Sequence, residues 1–212
     1  MERIRIGLMG LGTVGTGVVH ILNEHREDLS RQTGCALEIR KVLVQDKSKR
    51  RGVELPPGVL TDQPDEVVDS PDIDVVVEVM GGVVQTKTLI ERAIRSGKHV
   101  VTANKDLMAM HGAELLALAQ EHGCDIYYEA SVAGGIPIIR ALSDSFASDR
   151  ITRMFGIVNG TTNYILTKMS LEGAAYEEAL REAQALGYAE ADPTSDVEGL
   201  DAARKMAILA TL

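Results

Sequence analysis

Two lysines stand out by their surroundings. Lys105 lies in Val100-Val101-Thr102-Ala103-Asn104-Lys105-Asp106, and Lys205 closes the run Gly199-Leu200-Asp201-Ala202-Ala203-Arg204-Lys205. On a helix, the neighbours of Lys205 at three and four positions are Asp201, Ala202, Ile208 and Leu209, so its surroundings are mostly apolar. A semi-buried ammonium beside a carboxylate suits a group that must give up a proton. Read plainly, the same residues form a surface Asp–Lys pair, and Lys105 is a solvated residue at a helix start. Upstream of both, Gly10-Leu11-Gly12-Thr13-Val14-Gly15 has the spacing of a dinucleotide loop. A nucleotide loop with two such lysines points to redox chemistry on a small anionic carbonyl compound.

Glycines at this spacing serve distinct ends. One allows a tight turn, one lets the backbone approach a pyrophosphate, and one lets helix pack on strand. The helix that follows offers free N–H groups and a positive dipole end to phosphates. Glycine turns are common, but here the loop follows an apolar strand and opens an amphipathic helix, as the dinucleotide reading requires. At the end of the second strand stand Val44-Gln45-Asp46. Asp46 could accept a ribose hydroxyl, and the Lys47–Arg51 run could hold a 2′-phosphate or be a solvated loop. NAD and NADP both stay open.

Gly187-Tyr188-Ala189-Glu190-Ala191-Asp192-Pro193 gathers acidic residues, with Asp196 just beyond. These are either solvated loop carboxylates or a site for a substrate ammonium. His20, His25, His99, His111 and His122 show no metal-ligand spacing. Cys35 and Cys124 give no disulfide framework, no zinc spacing and no nucleophile-like setting.

The elements that must hold these residues alternate. Ile4–Met9 reads as a buried strand, and a helix runs from about Val14 to Asp28, with Val14, Val18, Ile21 and Leu22 at helical spacing. Leu37–Val44 reads as a second strand, and the β-branched run Asp74–Val79 as a strand covered on both faces. Thr88–Ser96 is a helix, His99–Thr102 a strand, Asp106–His122 a helix stopped by Gly123, and Asp125–Glu129 a strand. This order predicts an α/β fold, a Rossmann-type doubly wound parallel sheet with helices on both faces. The pattern breaks at Ala133-Gly134-Gly135, which divides a dinucleotide-binding domain, 1–135, from a substrate domain, 136–212. In the second, Thr152–Val158 is expected as a strand. Thr161–Ser170, Ala174–Leu186 and Glu198–Leu212 are expected as helices, making an incomplete α+β unit.

The bulk numbers narrow the classes. A chain of 212 residues that is 45% apolar and 25% charged can bury a real core as one or two domains. A net charge of −9 argues against nucleic acid as a partner. No apolar run is long enough to span a bilayer, and no signal peptide precedes the first strand, so no membrane partner is expected. Two unpaired cysteines suit a reducing cytoplasm.

Beyond the glycine loop, the chain resembles homoserine dehydrogenase in four stretches. They are Thr102-Ala103-Asn104-Lys105, Tyr128-Glu129-Ala130-Ser131-Val132-Ala133-Gly134-Gly135-Ile136-Pro137, Asn159-Gly160-Thr161-Thr162-Asn163-Tyr164-Ile165-Leu166, and Gly187 through Lys205. The resemblance implies reversible reduction of L-aspartate 4-semialdehyde to L-homoserine by NAD or NADP in their reduced forms, on the route to threonine and methionine. It implies that Lys205 is the general acid, supported by Asp201, and that Lys105 lies between cofactor and substrate. It further implies that Glu190 holds the substrate amino group with help from Asp196. Glu129 and the carbonyls of Val132, Gly134 and Ile136 look like the family's sodium site, and a homodimer or higher homo-oligomer is implied. Gln45 replaces an arginine that many members direct at the 2′-phosphate. The family also continues well past Lys205, while Ala202–Leu212 reads as helix without a terminal glycine or proline, so a shortened chain with impaired turnover is expected. Two other readings remain: a noncatalytic nucleotide-binding module, and a dehydrogenase of another small amino-acid aldehyde.

Overall fold

A computed structural model describes residues 2–212. The chain divides into two compact units, the first ending at Ser131 and the second spanning Val132–Leu212.

The first unit is built on six parallel strands: β1 (Glu2–Met9), β2 (Cys35–Leu43), β3 (Leu60–Thr61), β4 (Val75–Glu78), β5 (His99–Thr102) and β6 (Ile126–Tyr127). Their spatial order is β3-β2-β1-β4-β5-β6. The chain winds outward from β1 one way through β2 and β3, then returns to the other side through β4, β5 and β6. That is the doubly wound arrangement, and the reversal between β1 and β4 opens a crevice at their carboxyl ends. The helices are α1 (Thr13–Glu24), α2 (Arg26–Thr33), α3 (Asp65–Val68), α4 (Val84–Arg95) and α5 (Lys105–Glu121). Parallel strands need both faces covered, and the valines of β4 and β5 meet that need by being partly or fully buried. Leu8, Leu11, Val19, Val42 and Val44 form one core cluster that ties β1, β2 and α1 together.

At the end of the sheet away from the crevice, Arg5 of β1 grips Asp74 just before β4. The Asp74 carboxylate accepts from the Arg5 backbone N–H at 2.8 Å and from its guanidinium at 2.5 and 2.9 Å. The Arg5 guanidinium holds the Asp74 carboxyl below the usual range, more than partial burial raises it. Nearby, Lys98 is 3% exposed, and burial pushes its ammonium pKa down. Burial pushes the Cys124 thiol up, away from the thiolate a nucleophile needs.

Several boundaries differ from expectation. The first helix breaks at His25, and its buried residues are Gly15 and Val19, while Val14 and Ile21 face outward. Helix α4 begins at Val84, because the glycine pair before it forms a tight loop rather than a long connection. Strand β3 and helix α3 were not anticipated, being too short to show periodicity.

The second unit holds a short π-helical turn (Ala141–Ser145) and helices α6 (Gly160–Glu172), α7 (Tyr176–Ala185), α8 (Thr194–Val197) and α9 (Leu200–Ala210). Ile165, Ala179, Ala183 and Ala189 form its small core. The expected strand Thr152–Val158 is not formed: the segment has no regular structure, and the described residues of this unit contain no strand. The apolar run predicts a strand, but a strand requires a hydrogen-bonded neighbour. Here the one backbone group engaged is the Val158 carbonyl, which accepts from a lysine side chain. Phe155 and Ile157 are left 88% and 79% exposed.

Candidate functional site

The first candidate region is the crevice where β1 and β4 diverge. It encloses about 690 Å³ and is walled by Gly10, Gly12, Met80 and Gly82, with Asp46, Lys49 and Arg51 at its outer end. Gly10 has φ +101°, a backbone shape that L side chains rarely adopt. A Cβ on it would lie 2.8 Å from the Met80 Cα, and a Cβ on Gly15 would lie 2.2 Å from the Gly10 carbonyl oxygen. These two glycines are required by packing. Gly12 caps α1 and would meet nothing within 4 Å, so its face of the loop is open. The N–H groups of Thr13, Val14 and Gly15 open α1 without intrahelical acceptors, the arrangement that receives phosphate oxygens. Leu11 is buried against the core and fixes the loop from below. The anticipated loop therefore contains both structural and open positions.

Past β2, the Asp46 carboxylate accepts from the Ser48 hydroxyl at 2.6 Å and its backbone N–H at 2.8 Å. Those bonds hold the Asp46 carboxyl below its usual range. Arg51 donates to the backbone carbonyls of Lys49 and Asp46, which folds the basic run back onto the crevice. Gln45 lines the same end. Lys105 is the first residue of α5, half-buried, directly after the Asn104 cap at the carboxyl end of β5.

The second region lies in the second unit, where four chain segments converge. The Lys205 ammonium donates to the Val158 carbonyl at 2.7 Å and to the Asp201 carboxylate at 2.5 Å. Asp201 is 4% exposed. The Asn159 amide nitrogen donates to Asp201 at 3.0 Å and to Asp196 at 2.7 Å. The Thr161 hydroxyl lies 3.0 Å from Asp196 and 2.6 Å from the Tyr188 carbonyl. Asn159 also caps α6, its side-chain oxygen accepting from the Thr162 N–H and hydroxyl at 2.8 Å each. An ammonium has three N–H donors, and two are engaged here, leaving one for an incoming acceptor.

Lys205, Asp201 and Asp196, singled out in the sequence, are thus brought together. Glu190 is not: its side chain is exposed and makes no hydrogen bond, while its backbone carbonyl accepts from Gln184. Asp192 closes a local turn, accepting from the Thr194 hydroxyl and N–H, which hold its carboxyl low. Asn159 and Thr161 were quoted within a motif but given no role. The signal for them was two hydrogen-bonding side chains at a helix start. A cavity of about 440 Å³ adjoins Thr161, lined also by Tyr164 and Tyr188, whose rings lie 4.9 Å apart.

Of the four residues expected to bind a cation, Glu129 falls in the first unit, and Val132, Gly134 and Ile136 fall in the second. Ala133 and Gly134 both have left-handed φ, 60° and 59°. Inside this turn the Ile136 N–H donates to the Ala133 carbonyl at 3.1 Å. Among the described residues, no group of three or more His, Cys, Asp or Glu side chains could hold a metal ion, and no helix is long and apolar enough to cross a membrane.

Comparison with known proteins finds a family match in each of the two units. Residues 10–129 match the family described as "Homoserine dehydrogenase, NAD binding domain", and residues 137–212 match "Homoserine dehydrogenase". The homoserine dehydrogenase of Bacillus subtilis is 66% identical over the whole of this chain, which covers 49% of that protein. That of Lactococcus lactis is 49% identical, with 97% of this chain and 49% of that protein covered. The crystal structure of a homoserine dehydrogenase from Thiobacillus denitrificans superposes with a TM-score of 0.92 at 48% identity, covering all of this chain and 49% of that one. A hyperthermophilic archaeal homoserine dehydrogenase in complex with NADPH gives 0.84 at 30% identity, covering 98% of this chain and 69% of that one. The chain spans about half the length of the curated relatives it matches.

Proposed function

Because this chain belongs to the homoserine dehydrogenase family, we propose that it carries the dinucleotide-binding and proton-donating residues for interconverting L-aspartate 4-semialdehyde and L-homoserine, a step toward threonine and methionine. The observation that carries the reading is Lys205, held by the Val158 carbonyl and the buried Asp201 with one N–H to spare.

In this reading Gly10, Leu11, Gly12, Thr13, Val14 and Gly15 form the loop that receives the pyrophosphate of NAD or NADP, and Lys105 lies at the nicotinamide end. When bound, the nicotinamide supplies or accepts the hydride. Lys205 directs its remaining N–H at the aldehyde oxygen, stabilises the charge that grows there and delivers the proton. Asp201 fixes the direction of that ammonium, and Asn159 keeps Asp201 and Asp196 in place. Glu190, exposed and unengaged, is available for the substrate ammonium. A sodium ion would be held by the carbonyls of Val132, Gly134 and Ile136 with the Glu129 carboxylate. The protein works in a reducing cytoplasm, where Cys35 and Cys124 stay free, and as a homo-oligomer.

The test is reduction of L-aspartate 4-semialdehyde by the chain with NADH or NADPH, followed by the loss of reduced-nicotinamide absorbance. Lys205→Ala should lower kcat by about 10²–10⁴-fold with cofactor affinity unchanged. A variant that keeps near-parental kcat removes Lys205 from the acid role. Cofactor binding without turnover by the parent chain would leave a nucleotide-binding module in place of an enzyme.

A further inference from the structure

Glu78 is the last residue of β4, at the crevice, and it is fully buried in a run otherwise made of valine. All of its hydrogen-bond partners donate to it. One carboxylate oxygen accepts from the backbone N–H of Met80 at 2.9 Å and of Gly81 at 3.1 Å. The other accepts from the Thr102 hydroxyl at 2.6 Å, and the Thr102 oxygen in turn accepts from the Asn104 N–H at 3.0 Å. The Asn104 side chain then closes the ring: its amide nitrogen donates to the Gly82 carbonyl at 2.7 Å, and its oxygen accepts from the Leu107 N–H at 3.1 Å, capping α5.

Burying a carboxylate is unfavourable unless its partners are in place, and a fourth apolar side chain in β4 would serve the sheet as well. What Glu78 organises is the loop after β4. Gly81 and Gly82 are both left-handed, at φ 74° and 71°, and two such glycines have little preference of their own for this shape. Glu78 holds the front of the loop, Asn104 holds its end, and the Thr86 hydroxyl donates to the Gly81 carbonyl at 2.6 Å between them. Gly10 leaves no room to absorb a displacement, since a Cβ there would lie 2.8 Å from the Met80 Cα. The same ring sets the first turn of α5, where Lys105 stands.

We propose that Glu78 is a positioning residue that holds in register the wall of the dinucleotide crevice and the helix start bearing Lys105. The proposal rests on the nucleotide-binding reading of that crevice. Glu78→Gln keeps the size and the oxygen facing Met80 and Gly81. It places an N–H₂ group against Thr102, whose hydroxyl then loses its acceptor. Thr102→Val leaves the Met80 and Gly81 bonds and cuts the link to Asn104.

The experiment titrates the 212-residue chain and both variants with NADH and NADPH by fluorescence. It also measures acylation of Lys105 by a small amine-reactive ester, read by peptide mass spectrometry, with thermal melts alongside. Glu78→Gln should weaken both dinucleotides by roughly three- to tenfold and change the Lys105 acylation rate at least about twofold. Thr102→Val should change Lys105 acylation by a similar factor while dinucleotide affinity stays within about twofold of the parent. If Glu78→Gln does not fold, the Thr102→Val result decides alone. Variants that differ from the parent only in melting temperature would make Glu78 a structural residue and overturn the proposal. A parent chain that binds neither dinucleotide would overturn the nucleotide reading itself, and the proposal with it.

Discussion

Asn159 uses one side chain to join two carboxylates and cap a helix. Replacing it with alanine leaves the buried Asp201 and the half-buried Asp196 without that donor and removes the α6 cap. Asn159→Ala should therefore lower stability by about 2–4 kcal/mol, measured by urea unfolding. Glu190→Ala, at an exposed side chain without partners, should stay within about 0.5 kcal/mol of the parent, so an effect of Glu190 on substrate KM would be separable from folding. The sequence made Lys205 and Asp201 visible because four residues on a helix is one turn. It could not show that Asn159 bridges Asp196 and Asp201, 37 and 42 positions away, because such contacts exist only after the helices pack. Glu78 was passed over for a similar reason: within a run of valines, it reads as one more strand position. Cofactor choice also belongs at this scale. Gln45 brings no fixed charge to the outer end of the crevice, so NAD should be used at least comparably to NADP. A hundredfold preference for NADP in kcat/KM, about 2.7 kcal/mol, would move the phosphate-holding role to Lys49 and Arg51.

The glycine loop separates two kinds of requirement within one element. A methyl on Gly15 meets the Gly10 carbonyl oxygen at 2.2 Å, so Gly15→Ala should destabilise the first unit by about 1–3 kcal/mol and weaken dinucleotide binding together. A methyl on Gly12 meets nothing, so Gly12→Ala should leave the melt near the parental value while binding falls. Equal melting losses in the two variants would contradict this division. The opposite end of the sheet carries a pH dependence. The Asp74 pKa is depressed in the folded protein, so its contribution is present above the unfolded value of about 3.9 and is lost as pH falls through the lower folded value. The melting gap between parent and Asp74→Asn should accordingly be widest near neutrality and shrink as pH falls below the unfolded value of about 3.9. Elements with a clear period or dense β-branching, such as β5 at His99–Thr102, were legible to the residue. Strand β3, two residues after a Pro- and Gly-rich stretch, exists because β2 offers it an edge, and no local pattern announces it.

At the scale of the molecule, the second unit exposes apolar side chains that a small α-helical core does not reach. Phe155, Leu171 and Ile157 are the most open of these, and Ile151 is 49% exposed. Removing such surface from water is favourable by about 25 cal/mol per Å². The 212-residue chain should therefore self-associate at micromolar concentration, and Phe155→Ser should shift it toward monomer in light scattering. A parent chain that stays monomeric would remove the driving force assigned here. The same stretch has a kinetic signature. Its amide protons from Thr152 to Ile157 have no carbonyl to hold them, so in heavy water they should be replaced by deuterium within the first moments. The amides shared between β1 and β4 can exchange only when the sheet opens. A peptide map taken after a short labelling pulse would show a heavy window ending where Asn159 begins, and its disappearance on adding a protein or peptide would report that something had supplied the missing strand.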